Sequence, residues 1–258
     1  MKNRIYFFTG TGNCLKAAKD IAAAIGDCEL VPIKSGMGMT IPAGLERVGF
    51  VFPVYYFGPP NMVVDFVKNA EFGAQGDTYF FAVATYGALP GIAVPIVRDA
   101  LAEKGIKLNF GGGAKMFANG VFNYNMSQRV EKITAKSNGR IAKIMPAIVA
   151  KQHNKIRNTK QFTLDMYQKK MTGINELALE FNVNNNCNHC GLCRDICPAK
   201  NVFLESEKTA FGAKCEACLA CIQRCPKQAI NHTKTHERRR YQHPEIDINE
   251  VISYYKED

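Results

Sequence analysis

Arg4-Ile5-Tyr6-Phe7-Phe8 runs into Thr9-Gly10-Thr11-Gly12-Asn13, and Cys14 opens a stretch to residue 25 with Leu15, Ala18, Ile21 and Ala22 at helical spacing. This predicts a short apolar strand, a glycine-rich loop and an amphipathic helix. Glycines let the backbone approach an anion, and the hydroxyls of Thr9 and Thr11 donate to its oxygens. The start of the helix adds unpaired N–H groups and the positive end of a dipole. The loop is not a Walker loop, for it lacks Gly-Lys-Ser/Thr. It is not a dinucleotide fingerprint either, since Leu15 stands where the third glycine belongs. A phosphate site is expected at residues 9–14.

Outward from this unit, strands are expected at 29–33, 48–53 and 79–85, the last two each followed by a turn-rich loop and a helical pattern. Such alternation predicts an α/β fold with a doubly wound parallel sheet. After residues 107–110, Gly111-Gly112-Gly113 is expected to break any strand, and the segment up to Asn125 carries no readable period. Val130, Ile133, Ile141, Ile144 and Ile148 form a helical stripe that Pro146 is expected to kink or restart. Tyr167, Met171, Ile174 and Phe181 form a second one, ending before Asn184-Asn185-Asn186.

The chain holds 10 cysteines, and only Cys14 and Cys28 precede residue 187. The others form two runs, Cys187, Cys190, Cys193, Cys197-Pro198 and Cys215, Cys218, Cys221, Cys225-Pro226, each cysteine repeated at an offset of 28. Two-residue gaps let three thiolates of one tight loop converge, while the fourth cysteine of each run points elsewhere. A zinc ribbon takes four ligands and has no use for a third closely spaced cysteine with a Cys-Pro ending in both runs. The spacing resembles that of the bacterial two-cluster ferredoxins. The resemblance assigns Cys187, Cys190, Cys193 and Cys225 to one [4Fe-4S] cluster and Cys215, Cys218, Cys221 and Cys197 to the other. His189 reads as a loop residue, residues 201–214 as a hairpin, and Phe203 and Phe211 as small-core packing. Ile196 and Ile222 are expected to face the clusters. A core of this size is marginal, and the clusters would staple it.

Thr9-Gly10-Thr11-Gly12-Asn13 is similar to the flavodoxin phosphate loop. Val54-Tyr55-Tyr56-Phe57-Gly58-Pro59-Pro60 and Tyr86-Gly87-Ala88-Leu89-Pro90-Gly91 lie where flavodoxins hold the isoalloxazine ring, at the switch point between the first and third strands. The resemblance implies that FMN is bound by Thr9, Gly10, Thr11, Gly12, Asn13, Cys14, Pro53, Val54, Tyr55, Tyr56, Phe57, Gly58, Thr85, Tyr86 and Gly87, with Tyr55, Tyr56 or Tyr86 stacking on the flavin. Cys14 departs from the family's Ser or Thr. It reads as a plain substitute, and its place at a helix N-terminus also opens a redox-reactive reading. Cys28 reads as structural.

Nearly end to end, the chain resembles the flavodoxin-ferredoxin fusion proteins of anaerobic bacteria and archaea. The division that follows is a flavodoxin-like FMN domain at 1–160, a linker helix at 161–183, a small α+β two-cluster domain at 184–231 and a tail at 232–258, which folds back on one domain or the other. In that family FMN exchanges one or two electrons and each cluster one, which implies an electron carrier in anaerobic redox metabolism. The rival is an FMN-dependent oxidoreductase acting on a quinone, nitro compound or porphyrinogen, with the clusters as its wire.

The formal net charge is +10. Two clusters with their thiolates, at about −2 each, and a phosphate at about −2 would leave the loaded protein near +4. Residues 129–160 hold nine Lys or Arg and one acid, Glu131. They read as a solvated helical face or as a docking surface for an acidic redox partner. No nucleic-acid motif accompanies the charge. No apolar run reaches the roughly 20 residues of a membrane span, and the run after Met-Lys-Asn is too short for a signal-peptide core, so a cytoplasmic location is expected. Thiols stay reduced there, which favours metal binding over disulfides.

Overall fold

The computed structural model describes all residues except 75, 123–124, 206–207, 236–238 and 257–258. Part of the hairpin turn, Arg238 of the basic triplet and the last two acidic residues therefore lie outside the described residues.

Five parallel strands form the central sheet: β1 Asn3–Phe7, β2 Cys28–Pro32, β3 Arg47–Pro53, β4 Tyr79–Tyr86 and β5 Phe110–Lys115. Their order is β2-β1-β3-β4-β5, which is the flavodoxin-like order. Alternation along the strands separates two cores. Ile5, Phe7, Phe81 and Val83 face helices α1 Asn13–Ile25 and α4 Val130–Val149, where Leu15, Ile21, Ile141 and Ile148 are buried with them. Tyr6, Phe8, Phe50, Phe52 and Phe80 face α2 Asn61–Asn69 and α3 Ala93–Ala102, against Val63, Phe66, Val97 and Leu101. A sheet covered by helices on both faces is what the near-continuous apolar runs of β3 and β4 require.

Two expectations are corrected here. Gly111, Gly112 and Gly113 do not break a strand; all three lie within β5, in register with Ala82, Val83 and Ala84. A Cβ on Gly111 would lie 2.6 Å from a Val94 methyl and 3.0 Å from Ile156, and one on Gly112 would lie 2.9 Å from the Phe110 ring. The glycines thus serve close packing at the sheet edge. The 161–183 segment is not a single helix. Helix α5 Gln161–Met171 ends before Gly173, whose φ is +74°, and a 3-10 turn Ile174–Glu180 follows. Helix α4 continues through Pro146 rather than restarting there.

The cysteine-rich segment holds helix α6 Leu192–Asp195, the antiparallel hairpin β6 Val202–Glu205 and β7 Lys208–Phe211, and helix α7 Ala220–Arg224. Phe211 packs edge-on against Phe181 at 5.4 Å. Phe203 is half exposed, so it is not core packing as expected. Ile196 is buried in the core on the α1 side with Ile5 and Phe7. Neither it nor Ile222 is among the residues lining the two cysteine cavities.

The tail folds back onto the N-terminal loop. Helix α8 Ile248–Tyr255 buries Val251 and Tyr255 in the same core as Ile5 and Leu15. Among the described residues no helix is long and apolar enough to cross a membrane.

Candidate functional site

The loops that leave the C-terminal ends of β1, β3 and β4 converge, as the switch point of an open parallel sheet requires. They enclose a cleft of about 400 Å³. Thr9, Gly10, Thr11, Asn13 and Cys14 line it from the first loop, Pro53, Val54, Tyr55, Tyr56 and Phe57 from the second, and Thr85, Tyr86 and Gly87 from the third. Gly12 and Gly58, expected with them, are turned away. Gly12, at φ +101°, faces Arg224, His243 and Ile246, while Gly58 packs against the ring of Tyr167.

Gly12 caps α1 without any side-chain hydrogen bond, which leaves first-turn N–H groups open to an anion. The loop is held from several sides. Gly12 N donates to Thr9 Oγ1 at 3.1 Å, and Thr9 N donates to the Tyr255 hydroxyl at 2.9 Å, which itself donates to Thr9 O at 3.0 Å. The Tyr241 hydroxyl donates to Asn13 Oδ1 at 2.8 Å, and the Tyr241 ring stacks on Phe117 at 4.3 Å. Positive φ at Tyr56 and Phe57 (+47° and +76°) turns the second loop tightly enough for Tyr55 N and Gly58 N to donate to each other's carbonyls.

Cys14 is buried, with Sγ 3.0 Å from Thr85 Oγ1. Burial pushes its thiol up to about 12. Desolvation is the larger cause of that rise, and the contact with Thr85 acts against it. Cys28, half buried, is pushed up to about 11, again chiefly by burial.

Further residues line the cleft that the sequence did not single out. Phe117, Asn119, Gly120 and Phe122 follow β5, and Ala217, Cys218, Leu219 and Gln223 come from the second cysteine run. The first group carries one usable signal, since it follows a strand of the same parallel sheet. The second carries none in its local pattern.

The eight paired-run cysteines fall into two fours. Cys187, Cys190, Cys193 and Cys225 line one cavity, together with His189, and Cys197, Cys215, Cys218 and Cys221 line another. The fourth cysteine of each run therefore faces the other run's three. Among the described residues no group of three or more His, Cys, Asp or Glu is arranged to hold a single metal ion. Burial pushes Cys193 and Cys215 up to about 11, and Cys218 and Cys221 well above the usual thiol range. Against that, Asn201 N donates to Cys197 Sγ, Ala217 N to Cys215 Sγ and Ala229 N to Cys225 Sγ, each at 3.3 Å. Backbone donors aimed at sulfur suit thiolates more than thiols. Glu216, beside this set, accepts from Met62 N at 3.0 Å, and burial pushes its carboxyl up to about 7.

Fold and site together define a flavodoxin-like α/β protein whose cleft is closed on one side by a cysteine-rich segment. No family model matches the chain, and no curated protein matches it. Among solved structures, it is similar to the FMN-bound flavodoxin of Fusobacterium nucleatum at 15% identity, over 59% of this chain and 99% of that one, with a TM-score of 0.39. The Streptococcus pneumoniae TIGR4 flavodoxin is 14% identical over 58% of this chain and 98% of that one, TM-score 0.39. Oxidised flavodoxin 1 of Bacillus cereus is 17% identical over 55% and 98%, TM-score 0.38. The fold class rests on strand order and helix faces, not on these likenesses.

Proposed function

We propose that the chain is an electron-transfer protein that binds FMN in the cleft and one [4Fe-4S] cluster in each cysteine quartet. One observation carries the reading: Cys218 lines both the cleft and the second cysteine cavity. The two candidate sites share a wall, and a Cβ on Gly10 would lie only 2.4 Å from Cys218 O. When bound, the flavin supplies one- or two-electron chemistry and each cluster one-electron chemistry. Thr9, Gly10, Thr11, Asn13 and the uncapped start of α1 suit the phosphate, and Tyr55, Tyr56 and Tyr86 suit the ring. A cleft of about 400 Å³ lies in the ordinary range for a cofactor of this size. Eight cysteines in two cavities, with N–H donors on three sulfurs, suit two clusters better than zinc.

The cleft lining contains no Asp, Glu, Lys, Arg or His, and its ionisable side chains are tyrosines and cysteines. The wall that the cleft shares with the second cysteine cavity favours the carrier reading over that of an enzyme with a small organic substrate. The division into an FMN domain at 1–160 and a cluster domain at 184–231 is part of the proposal, as are an acidic redox partner for the basic 129–160 face and a cytoplasmic location.

Anaerobic purification followed by iron, sulfide and flavin analysis tests the composition, with about eight irons, eight sulfides and one FMN per chain expected. Stoichiometric zinc, or FAD in place of FMN, would sink it. Coupling is tested by rapid reduction of the clusters while flavin absorbance is followed at several protein concentrations. A first-order flavin step independent of concentration supports the reading. A step that scales with concentration refutes it.

A further inference from the structure

A phosphate monoester in this cleft would bring about two negative charges into a lining without a single cation. The cation available lies directly behind the loop. Arg224, on α7 of the second cysteine run, is 5% exposed, and its Nε donates to Gly10 O at 3.2 Å. Its Nη2 comes within 3.0 Å of where a Cβ of Gly12 would sit. Among the described residues neither of its terminal nitrogens, both buried, has a hydrogen-bond partner. An unpaired buried guanidinium is costly unless an anion compensates it.

The other cations nearby are committed elsewhere. Lys16 pairs with Asp20 at 2.6 Å and Glu245 at 3.0 Å. Arg240 donates through Nη2 to Ile230 O at 3.4 Å and also to Asn231 Oδ1.

We propose that Arg224 is the counter-charge of the phosphate site, supplied across the Gly10–Gly12 backbone by the cysteine-rich segment, and that it selects phosphorylated over unphosphorylated flavin. The proposal rests on the FMN reading above. Arg224 touches the loop's backbone at Gly10 O, and at 5% exposure its charge is weakly screened by water. Gly12 is required there because its φ is positive and because any side chain would occupy the space Arg224 uses.

The test uses the full chain with its clusters in place, freed of flavin and titrated anaerobically with FMN and with riboflavin by fluorescence quenching. Arg224→Gln is expected to weaken FMN at least tenfold and riboflavin less than twofold, and Arg224→Lys to recover most of the FMN affinity. Inorganic phosphate should compete with FMN in the native chain and compete more weakly in Arg224→Gln. If the glutamine variant does not fold, Arg224→Met carries the same comparison without buried N–H groups. Equal losses for both flavins would mean a structural role and overturn the proposal, as would unchanged FMN affinity. If the native chain bound neither flavin, the FMN reading itself would fall.

Discussion

Replacing Gly10 by alanine probes the seam between the phosphate loop and the second cysteine run. Gly10 is not among the residues of positive φ, so the backbone tolerates a side chain and the cost is steric. The new Cβ would lie 2.4 Å from Cys218 O and 3.1 Å from Cys218 Cβ. Ordinary contact begins near 3.4 Å, so about 1 Å must be yielded, and the obstacle is backbone. Neither side gives easily, since Thr9 is tied to Tyr255 and Arg224 to Gly10 O. Overpacking of this kind costs about 1–3 kcal/mol. For a chain of this length each kcal/mol lowers Tm by about 2–4 °C, giving a drop of about 2–12 °C. Thermal unfolding is followed by circular dichroism on anaerobic protein of matched iron content. Gly139→Ala is the control: it lies within α4 with nothing within 4 Å of its Cβ, so it should gain about 0.5–1 kcal/mol. A Gly10→Ala protein melting within 1 °C of the native one would refute the contact, and with it the shared wall between the two candidate sites.

The crossed quartets predict that Cys197→Ala damages the cluster held with Cys215, Cys218 and Cys221, and Cys225→Ala the other; electron paramagnetic resonance showing the reverse would contradict the grouping. Tyr255→Phe removes the partner of the buried Thr9 N–H, which should cost about 1–3 kcal/mol by denaturant titration; a change below 0.5 kcal/mol would mean that the tail does not hold the loop. Burial depresses the imidazole of His243 to about 4, from an ordinary value of 6.5. The unfolded chain therefore binds the extra proton first, and stability present above pH 6.5 is lost as pH falls toward 4, by about 1–3 kcal/mol. His243→Gln should flatten that part of the profile relative to the native chain at equal iron content, and an unaltered profile would rule the histidine out.

Much of the fold was legible because its signals are local. The strand, glycine loop and helix of residues 4–25 declare themselves by apolar spacing alone, as do β3 and β4, and two identical cysteine spacings 28 residues apart need no partner to be read. The grouping of the cysteines came only with the resemblance to ferredoxins, and three-dimensional geometry brings the same fours together. Gly111, Gly112 and Gly113 misled because a glycine's meaning depends on its neighbours: here Val94, Ile156 and Phe110 occupy the space where side chains would stand. The surroundings of Cys14 were not legible either, since it is buried against Thr85, 71 residues away. By itself the sequence determined the parallel α/β layering and where the cysteines recur, since periodicity and spacing are written within a few residues of each other. Only the tertiary structure decided that Tyr255, Arg224 and His243 close around Thr9–Gly12 and that Cys218 stands at the wall of the cleft. Those contacts join positions more than 200 residues apart, and what selects them is the packing of whole faces, which no local pattern encodes.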